Sequence, residues 1–369
     1  MFYLQSVELF QYKNHYSSQL ELDSKINVIL GDNGSGKTNI LDAVYNLCLT
    51  KSALSSQEVS CVMFGKDFYS LKGVFLKDSA KLVVTNSFKP NEGKSIHVNQ
   101  SPVERLKNHI GRFPCVMVHP DDISIVKGGS EERRRFFDGT FGQSNVSFLE
   151  DLLFYQKLLK QRNALLKQFL ERKYKDLALL ETYTKQMIPV SERIFNHRKN
   201  MMQYFEPSFS KWYALLSGMQ EKPELTYEAE NFEADYEKLF KNCLNDDLRA
   251  GRTTLGIQTD EFHFFSNGML VRKTGSQGQQ KTFLLALKLA QYEFVSSQLS
   301  VTPILLLDDI FDKLDEKRSA VILNLIKEEK LGQTFITDAQ IERTQKFIAS
   351  KIKNPKIAYV KNGELSEIL

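Results

Sequence analysis

The part of the sequence that most restricts the fold is GDNGSGKT, residues 31–38. It follows the apolar run INVIL and precedes TNILDAVYNLCL, which has the apolar spacing of a helix. A strand, a glycine-rich loop and a helix in this order are typical of a P-loop, whose backbone N–H groups and helix N-terminus bind phosphates. Lys37 is predicted to reach the β and γ phosphates, and Thr38 to hold Mg²⁺. The sequence therefore predicts a nucleotide site in an α/β fold.

A second motif is ILLLDD, residues 304–309, an apolar run that ends in two carboxylates. Buried parallel strands place their C-terminal residues beside the P-loop of an α/β sheet. We expect Asp308 to coordinate Mg²⁺ and Asp309 to orient or deprotonate the attacking water. Alternatively, the two carboxylates cap the helix that begins near Glu316. The upstream P-loop favours the catalytic interpretation.

A third motif is GSQGQQKT, residues 275–282, directly before an apolar helical pattern. By itself it is typical of a turn and a helix cap. Ser276 and Gly278 could also form an anion site, since a hydroxyl and backbone N–H groups converge at a helix N-terminus. Two phosphate sites so far apart in one chain require an explanation.

The composition of the chain restricts the class of protein to which it can belong. The chain has 369 residues, 42% hydrophobic and 25% charged, enough for two domains or one domain with an insertion. Its first residues lack signal-peptide features and no apolar run is long enough to span a membrane. The net charge of +4 does not by itself indicate nucleic acid binding. We expect a cytoplasmic protein with reduced thiols in its core, namely Cys48, Cys61, Cys115 and Cys243.

The pattern of predicted secondary structure changes twice along the chain. The first part has strand patterns, with a hairpin at KPNEGK, and a helical spacing of Phe148, Leu152 and Tyr155 begins near residue 146. A second long helix is predicted from about Leu177 to Leu216, interrupted or kinked at Pro189. Strands and helices alternate again after about Gly251, with Asn-Gly hairpins at 267–268 and 362–363. The predicted division is 1–145 and 251–369 for one lobe and 146–250 for an inserted helical lobe.

In their order, these motifs resemble the SMC-like branch of the ABC-type ATPases, and within it the RecF family of recombination mediators. Further resemblances are FQYKN (10–14), VHPDDISIVKGGSEERRRFFD (118–138), YQKLLKQRNALLK (155–167) and the helix beginning GSQGQQKTF. They extend along essentially the whole chain. The resemblance implies an α/β fold, an ABC-ATPase (SMC-like) head domain with a P-loop core and an inserted α-helical second lobe.

The resemblance also implies that ATP lies between two heads, so that each site uses residues of two chains. The catalytic residues would be Lys37 and Asp309, and Mg²⁺ would be held by Thr38 and Asp308. Asp315 matches the D-loop aspartate that communicates between the two sites. The implied nucleotide contacts are Gly31, Asn33, Gly34, Ser35, Gly36, Lys37, Thr38, Asn39, Lys13 and Asn14, and the signature acting in trans is Ser276, Gln277, Gly278 and Gln279.

The activity implied by the resemblance is that of a slow, DNA-dependent ATPase used as a switch. ATP would close a homodimer on double-stranded DNA near a single-strand gap, independently of sequence, and hydrolysis would release it. The implied partners are RecR and RecO, and indirectly RecA, whose loading is promoted. ATP and Mg²⁺ are the implied cofactors, and no membrane is involved.

The sequence departs from the family pattern in three places. Lys13 stands where arginine is usual, which would remove a bidentate phosphate contact. GIQTDEF (256–262) replaces the usual Gly-Pro-His-Arg-Asp-Asp-Leu, so the role of this loop is in doubt. No histidine follows QTFIT, and Thr337 or Asp338 could only be a weak substitute for a switch histidine. His119 is interpreted as structural, because no histidine has a credible catalytic partner.

DNA contacts are predicted from basic residues that could face one way. The alternative is a solvated helix face, with the arginine run paired to Asp121, Asp122 or Glu131. Nothing indicates base readout. The candidates are Arg133, Arg134, Arg135, Lys157, Lys160, Arg162 and Lys167.

Two other functions fit a P-loop. A transporter's nucleotide-binding subunit is disfavoured by the absent switch histidine, the long helical insertion and the lack of a short coupling segment. A P-loop kinase should show a lid of arginines and an acceptor pocket, and it has no use for a second phosphate-binding signature.

Overall fold

The computed structural model describes residues 2–171, 175–218, 221–229, 236–310, 316–328, 330–340 and 355–368. The chain divides into two compact units, of which the first comprises Met1–Asp122, Leu215–Gly218 and Lys281–Leu369. The second comprises Ile123–Ala214 and Met219–Gln280. These boundaries differ from the predicted positions 146 and 250, because helical and strand segments on both sides of the predicted insert pack with its helices.

The strands of the described residues are, in chain order, β1 (Phe2–Tyr12), β2 (His15–Glu21), β3 (Ile26–Leu30), β4 (Tyr69–Lys77), β5 (Ala80–Lys89), β6 (Gly93–Val98), β7 (Ser101–Pro102), β8 (Cys115–Val118), β9 (Pro223–Glu228), β10 (Glu261–Ser266), β11 (Met269–Leu270), β12 (Ile304–Leu307), β13 (Thr334–Asp338), β14 (Lys356–Lys361) and β15 (Glu364–Ile368).

The α-helices of the described residues are α1 (Lys37–Leu49), α2 (Ile123–Lys127), α3 (Ser130–Ser144), α4 (Val146–Glu171), α5 (Leu177–Ser217), α6 (Tyr236–Ala250), α7 (Val271–Thr274), α8 (Gln277–Leu299) and α9 (Glu316–Lys327). Short 3₁₀ turns lie at Glu58–Cys61, Leu106–Asn108 and Pro120–Asp122. Within the described ranges, no helix is both long and apolar enough to cross a membrane.

The first unit contains a largely parallel sheet in the order β15-β14-β3-β13-β12-β8. Every residue of β3, β8, β12 and β13 is buried. Such continuous burial is expected of parallel strands that are covered on both faces. Only the terminal hairpin pair β14 and β15 is antiparallel among these strands. The predicted strands INVIL, ILLL and TFIT and the predicted hairpin at Asn362–Gly363 are present.

The second sheet of this unit is antiparallel, in the order β2-β1-β4-β5-β6-β7. Burial alternates along β1 and β4, as expected of strands with one face toward a core. That core joins residues of both sheets with the apolar side chains of α1. Cys48, Cys61 and Cys115 are buried there, and Cys243 is partly buried.

The second unit is built on α3, α4, α5 and α6, with a small sheet in the order β11-β10-β9. Phe148, Leu152 and Tyr155 are buried along one face of α4, as their spacing predicted. The helix α5 continues through Pro189 and Pro207, so an interruption at Pro189 is wrong, and the alternative of a kink there stays a prediction. The turn at Asn267–Gly268 joins β10 and β11 as predicted.

Buried charge fixes the GIQTDEF loop, whose role was in doubt. The Arg198 guanidinium on α5 donates to both Asp138 oxygens at 2.8 and 2.9 Å, to Asp260 Oδ2 at 2.6 Å and to Ile257 O at 2.9 Å. Burial lowers the pKa of Arg198, but Asp138, Tyr227 and Asp260 together outweigh this and the net shift is upward. Gly256 has φ +139, and a side chain there would collide with the Tyr155 hydroxyl. The loop therefore joins α3, α4 and α5 within this unit.

We expect Arg198→Ala to lower the free energy of unfolding by about 3–5 kcal/mol, because it leaves the buried Asp260 and the partly buried Asp138 carboxylates without their cation. Arg193→Ala on the same helix is the matched control. Arg193 pairs with Asp151 at 2.7 Å but is half exposed, so its loss should cost about 1 kcal/mol or less. Urea unfolding followed by circular dichroism measures both, and equal losses would contradict this account.

Candidate nucleotide-binding site

The register of the parallel strands brings separate segments of the chain to one edge of the sheet. Asp338 pairs with Leu30, and Leu307 pairs with both Ile336 and Val118. Each strand continues at its C-terminal end into a polar residue or a glycine. The C-terminal ends of neighbouring strands therefore place four residues at the same edge of the sheet, namely Gly31, Asp308, Asp338 and His119. This edge is where ligands bind in open α/β sheets.

The loop 31–38 has the backbone of a phosphate cradle. Gly36 precedes α1 with φ +116, and a side chain there would collide with Asn14 and His15. Lys37 Nζ donates to Gly31 O at 2.8 Å and to Asp32 O at 3.0 Å, across the loop. The buried Ser35 hydroxyl has no hydrogen-bond partner among the described residues. Glycine conformations, an ammonium group and a spare hydroxyl suit a nucleotide phosphate.

Asp308 is buried at the end of β12 and receives several donors. Thr38 Oγ1 donates to its two oxygens at 2.9 and 3.1 Å, and Thr337 Oγ1 donates to Oδ1 at 2.7 Å. The hydroxyl of Thr38 and the carboxylate of Asp308 thus converge, as the oxygen ligands of Mg²⁺ must. No cluster of three or more His, Cys, Asp or Glu suited to a metal occurs in the described part of the chain. Mg²⁺ is usually held by one or two protein oxygens together with phosphates, and Thr38 and Asp308 supply such oxygens.

Asp309 follows with a left-handed backbone, φ +43, and its N–H donates to Thr337 Oγ1 at 2.9 Å. Thr337 therefore holds both carboxylate residues. The sequence had ranked this threonine only as a weak substitute for a switch histidine. Asp338, the next residue, is buried and accepts from Gln340 N at 2.8 Å.

His119 lies in the site, although the sequence analysis interpreted it as a structural residue. Its Nδ1 accepts from Asp121 N at 3.1 Å, so the proton of a neutral ring is on Nε2. Nε2 lies 3.3 Å from Asp308 Oδ2, within ion-pair distance of that carboxylate. The signal missed in the sequence was CVMV, a short apolar run directly before this histidine that becomes β8, the neighbour of β12.

Two residues expected to contact nucleotide contact the protein instead. Lys13 Nζ lies 2.6 Å from the buried Asp42 carboxylate, which also accepts from the Tyr12 hydroxyl and the Ala53 N–H. The nucleotide contact of Lys13 stays a prediction, and its ammonium already has a carboxylate partner within the protein. Asn14 donates to Ser35 O at 3.0 Å and accepts from Asn39 Nδ2 at 2.7 Å, so it supports the P-loop backbone.

The signature segment lies in the second unit and forms a reciprocal helix cap. Ser276 N donates to Gln279 Oε1 at 2.7 Å, and Gln279 N donates to Ser276 Oγ at 3.2 Å. Gln279 Nε2 also donates to Glu221 Oε1 at 3.0 Å. This is the capping box that begins many helices. Ser276 and Gln277 remain exposed at the start of α8.

The predicted DNA contacts separate into buried and exposed residues. Arg133 is ion-paired with Glu261, and Arg162 with Asp247 at 2.7 Å, and both side chains are almost fully buried. The predicted DNA contact is therefore wrong for these two arginines. Arg134 donates to Asp260 O at 2.7 Å and is partly exposed. The candidates that are exposed are Arg135, Lys157, Lys160 and Lys167.

The predicted D-loop residue, Asp315, lies outside the described residues.

The family model "RecF/RecN/SMC N terminal domain" matches residues 3–357. A DNA replication and repair protein RecF of Cytophaga hutchinsonii is 37% identical over 365 residues, covering 99% of this chain and 97% of that protein. This chain belongs to the RecF family. Another RecF, of Flavobacterium johnsoniae, is 38% identical over 96% of this chain and 99% of its own length.

Solved structures agree with the RecF assignment. Structures of the recombination mediator protein RecF in the RecFOR pathway, with ATP and with ATPrS, match with TM-scores of 0.89 and 0.88 and identities of 28% and 27%. Each match covers 100% of this chain and 98% of the other. An Smc head domain from Pyrococcus furiosus, 18% identical, matches with a TM-score of 0.59 over 100% of this chain and 96% of its own. The predicted fold, an SMC-like ABC-ATPase head with a helical insertion, is confirmed.

We expect Gln279→Ala to loosen the first turn of α8, because it removes half of the capping box. A lost cap of about 1 kcal/mol corresponds to roughly fivefold faster amide hydrogen exchange in that turn. Gln277→Ala, an exposed neighbour in the same turn, is the matched control and should leave exchange unchanged. Equal exchange in the two variants would contradict the capping role.

Proposed function

We propose that this chain is an ATP-dependent, DNA-binding ATPase of recombinational repair and replication restart. The observation that carries the proposal is the Thr38–Asp308 hydrogen bond, which brings P-loop and acidic strand together in a RecF-family chain. It joins the two groups that a phosphoryl-transfer site uses to hold Mg²⁺. The RecF–ATP structure, similar over the whole chain, supports ATP as the nucleotide.

In the proposed site, the N–H groups of the P-loop bind the phosphates and Lys37 neutralises their charge. Thr38 and Asp308 would hold Mg²⁺, which would supply positive charge to the phosphates when bound. Thr337 keeps the Asp308 carboxylate oriented through the hydrogen bond described above, and His119 lies beside it. Asp309 would orient or deprotonate the attacking water. The remaining contacts are proposed for Gly31, Asn33, Gly34, Ser35, Gly36 and Asn39.

The signature would act on nucleotide held by a second chain, as in the family it resembles. The capping role of Ser276 is compatible with this, because a hydroxyl has one donor and two acceptor positions. The cap uses an acceptor position of the hydroxyl, so its proton can be donated to a phosphate. Exposure of Ser276 and Gln277 supports access from outside the chain. Gly278, Gln279 and Asp315 complete the proposed interface.

Duplex DNA would be held through its phosphates. Lys157, Lys160 and Lys167 are exposed and spaced by three and seven residues along α4, so they lie on one face of that helix. Arg135 is also exposed but pairs with Glu131 at 2.8 Å. We propose RecO and RecR as partners and RecA loading as the outcome, since the similar RecF belongs to the RecFOR pathway.

Sedimentation tests the proposed dimer. The Asp309→Asn variant should bind ATP without hydrolysing it and sediment as a dimer, with ADP leaving it monomeric. Ser276→Arg should bind ATP with normal affinity but stay monomeric, because a bulky cation enters the interface. A monomeric Asp309→Asn variant with ATP bound would refute the dimer, and loss of ATP binding in Ser276→Arg would argue against a role in trans.

A salt titration tests the DNA surface. With ATP present, the double variant Lys157→Ala/Lys160→Ala should show a salt slope for duplex binding smaller by about 0.9 for each lost phosphate contact. The control is Lys185→Ala, an exposed lysine of α5 that pairs with Glu181 at 2.9 Å. An unchanged slope in the double variant would remove α4 from the DNA surface.

A further inference from the structure

Two turns from opposite ends of the sequence contact the outer side of the P-loop. From the turn between β1 and β2, Asn14 Nδ2 donates to Ser35 O at 3.0 Å. From the turn between β14 and β15, Gly363 N donates to the same oxygen at 2.8 Å. His15 Nε2 lies 3.0 Å from Gly36 O. Two consecutive P-loop carbonyls are thus bound by groups remote in sequence.

These bonds determine where the next N–H groups point. In a trans peptide the C=O of one residue and the N–H of the next lie in one plane and point in opposite directions. Holding Ser35 O toward the two turns directs the Gly36 N–H away from them. Gly36 O, which also accepts from Asn39 N at 3.0 Å and Ile40 N at 3.3 Å in α1, directs the Lys37 N–H in the same way. Backbone N–H groups of this part of a P-loop are those that bind phosphates.

The backbone of the C-terminal hairpin lies in close contact with both the turn at Asn14 and the P-loop. A Cβ on Gly363, which has φ +79, would lie 2.2 Å from Asn14 O. A Cβ on Gly31 would lie 2.2 Å from Val360 O, in β14. Neither position has room for a side chain, so the C-terminal hairpin is fixed against the P-loop by contacts that tolerate little shift.

The His15 ring is fixed as a donor by its surroundings. Burial lowers the pKa of His15, so the ring is neutral near pH 7 and carries one proton. Because Gly36 O can only accept, that proton is on Nε2. Nδ1 lies 2.9 Å from Ser18 Oγ, and Ser18 Oγ lies 3.1 Å from Gly363 O. The single Ser18 proton can bond only one of these two acceptors at a time. Ser18 therefore places the His15 ring beside the same C-terminal turn.

We propose that Asn14, His15 and the Gly363 turn are positioning residues that aim the Gly36 and Lys37 amides at the nucleotide phosphates. The C-terminal hairpin is then part of the nucleotide site. This inference rests on the proposed ATP binding but goes beyond it, since it assigns the geometry of the phosphate donors to segments outside the P-loop. Those amides bind phosphates that ATP and ADP share. A change in the direction of the amides therefore weakens the binding of both nucleotides.

The test is calorimetric titration of the full chain with ATP and with ADP. His15→Leu removes the donor to Gly36 O and should weaken both nucleotides by about tenfold, whereas His15→Gln, which can still donate, should stay within about threefold. Gly363→Ala should weaken both by at least about tenfold. Hydrolysis at saturating ATP should be retained, so that KM rises while kcat does not fall.

Gly93→Ala is the matched control, because Gly93 has φ +83 in another hairpin of the same unit but has nothing within 4 Å of an added Cβ. It carries similar backbone strain without touching the P-loop and should bind both nucleotides normally. If Gly363→Ala does not fold, the His15 pair decides alone. Wild-type affinity in His15→Leu, or equal losses in His15→Leu and His15→Gln, would overturn the positioning role. Failure of the wild-type chain to bind either nucleotide would instead refute the proposed function.

Discussion

The site depends on the register of four parallel strands, β3, β13, β12 and β8. Because parallel strands end at a common edge, this register brings the P-loop, Asp308 and His119 together from parts of the chain far apart in sequence. Burial on both faces makes a shift of register costly, since it would move polar residues into the core. Each strand is short and apolar, and the functional residues begin where it ends.

A second constraint is that the polar groups of the site are held by other protein groups before they meet a ligand. Asp308 is held by hydrogen bonds from Thr38 and Thr337, and the turns beside the P-loop contact Ser35 O and Gly36 O. Groups that are already oriented need little rearrangement when charge must be stabilised. The helix cap at Ser276 serves the signature in the same way, because it fixes the hydroxyl at the start of α8.

Local patterns in the sequence were sufficient to predict the P-loop, the strand before Asp308 and the Asn-Gly hairpins, because each is read from residues close together in the chain. Partners remote in sequence could not be read in this way. The Arg162 guanidinium meets Asp247, 85 residues away, and Arg133 meets Glu261, 128 residues away, so both resembled surface cations. The Asp42 partner of Lys13 could not be predicted for the same reason, since Asp42 lies on a helix that also carries ordinary core residues. His119 was missed because β8 is only four residues long.

The central claim is that one chain supplies half of a nucleotide site and a second chain supplies the signature. The most direct measurement is a structure of the Asp309→Asn variant with ATP and Mg²⁺. If the site is shared between two chains, Ser276 Oγ of one chain should lie within about 3 Å of a phosphate held by residues 31–38 of another. ATP bound to a single chain, with Ser276 of every chain remote from phosphate, would contradict it.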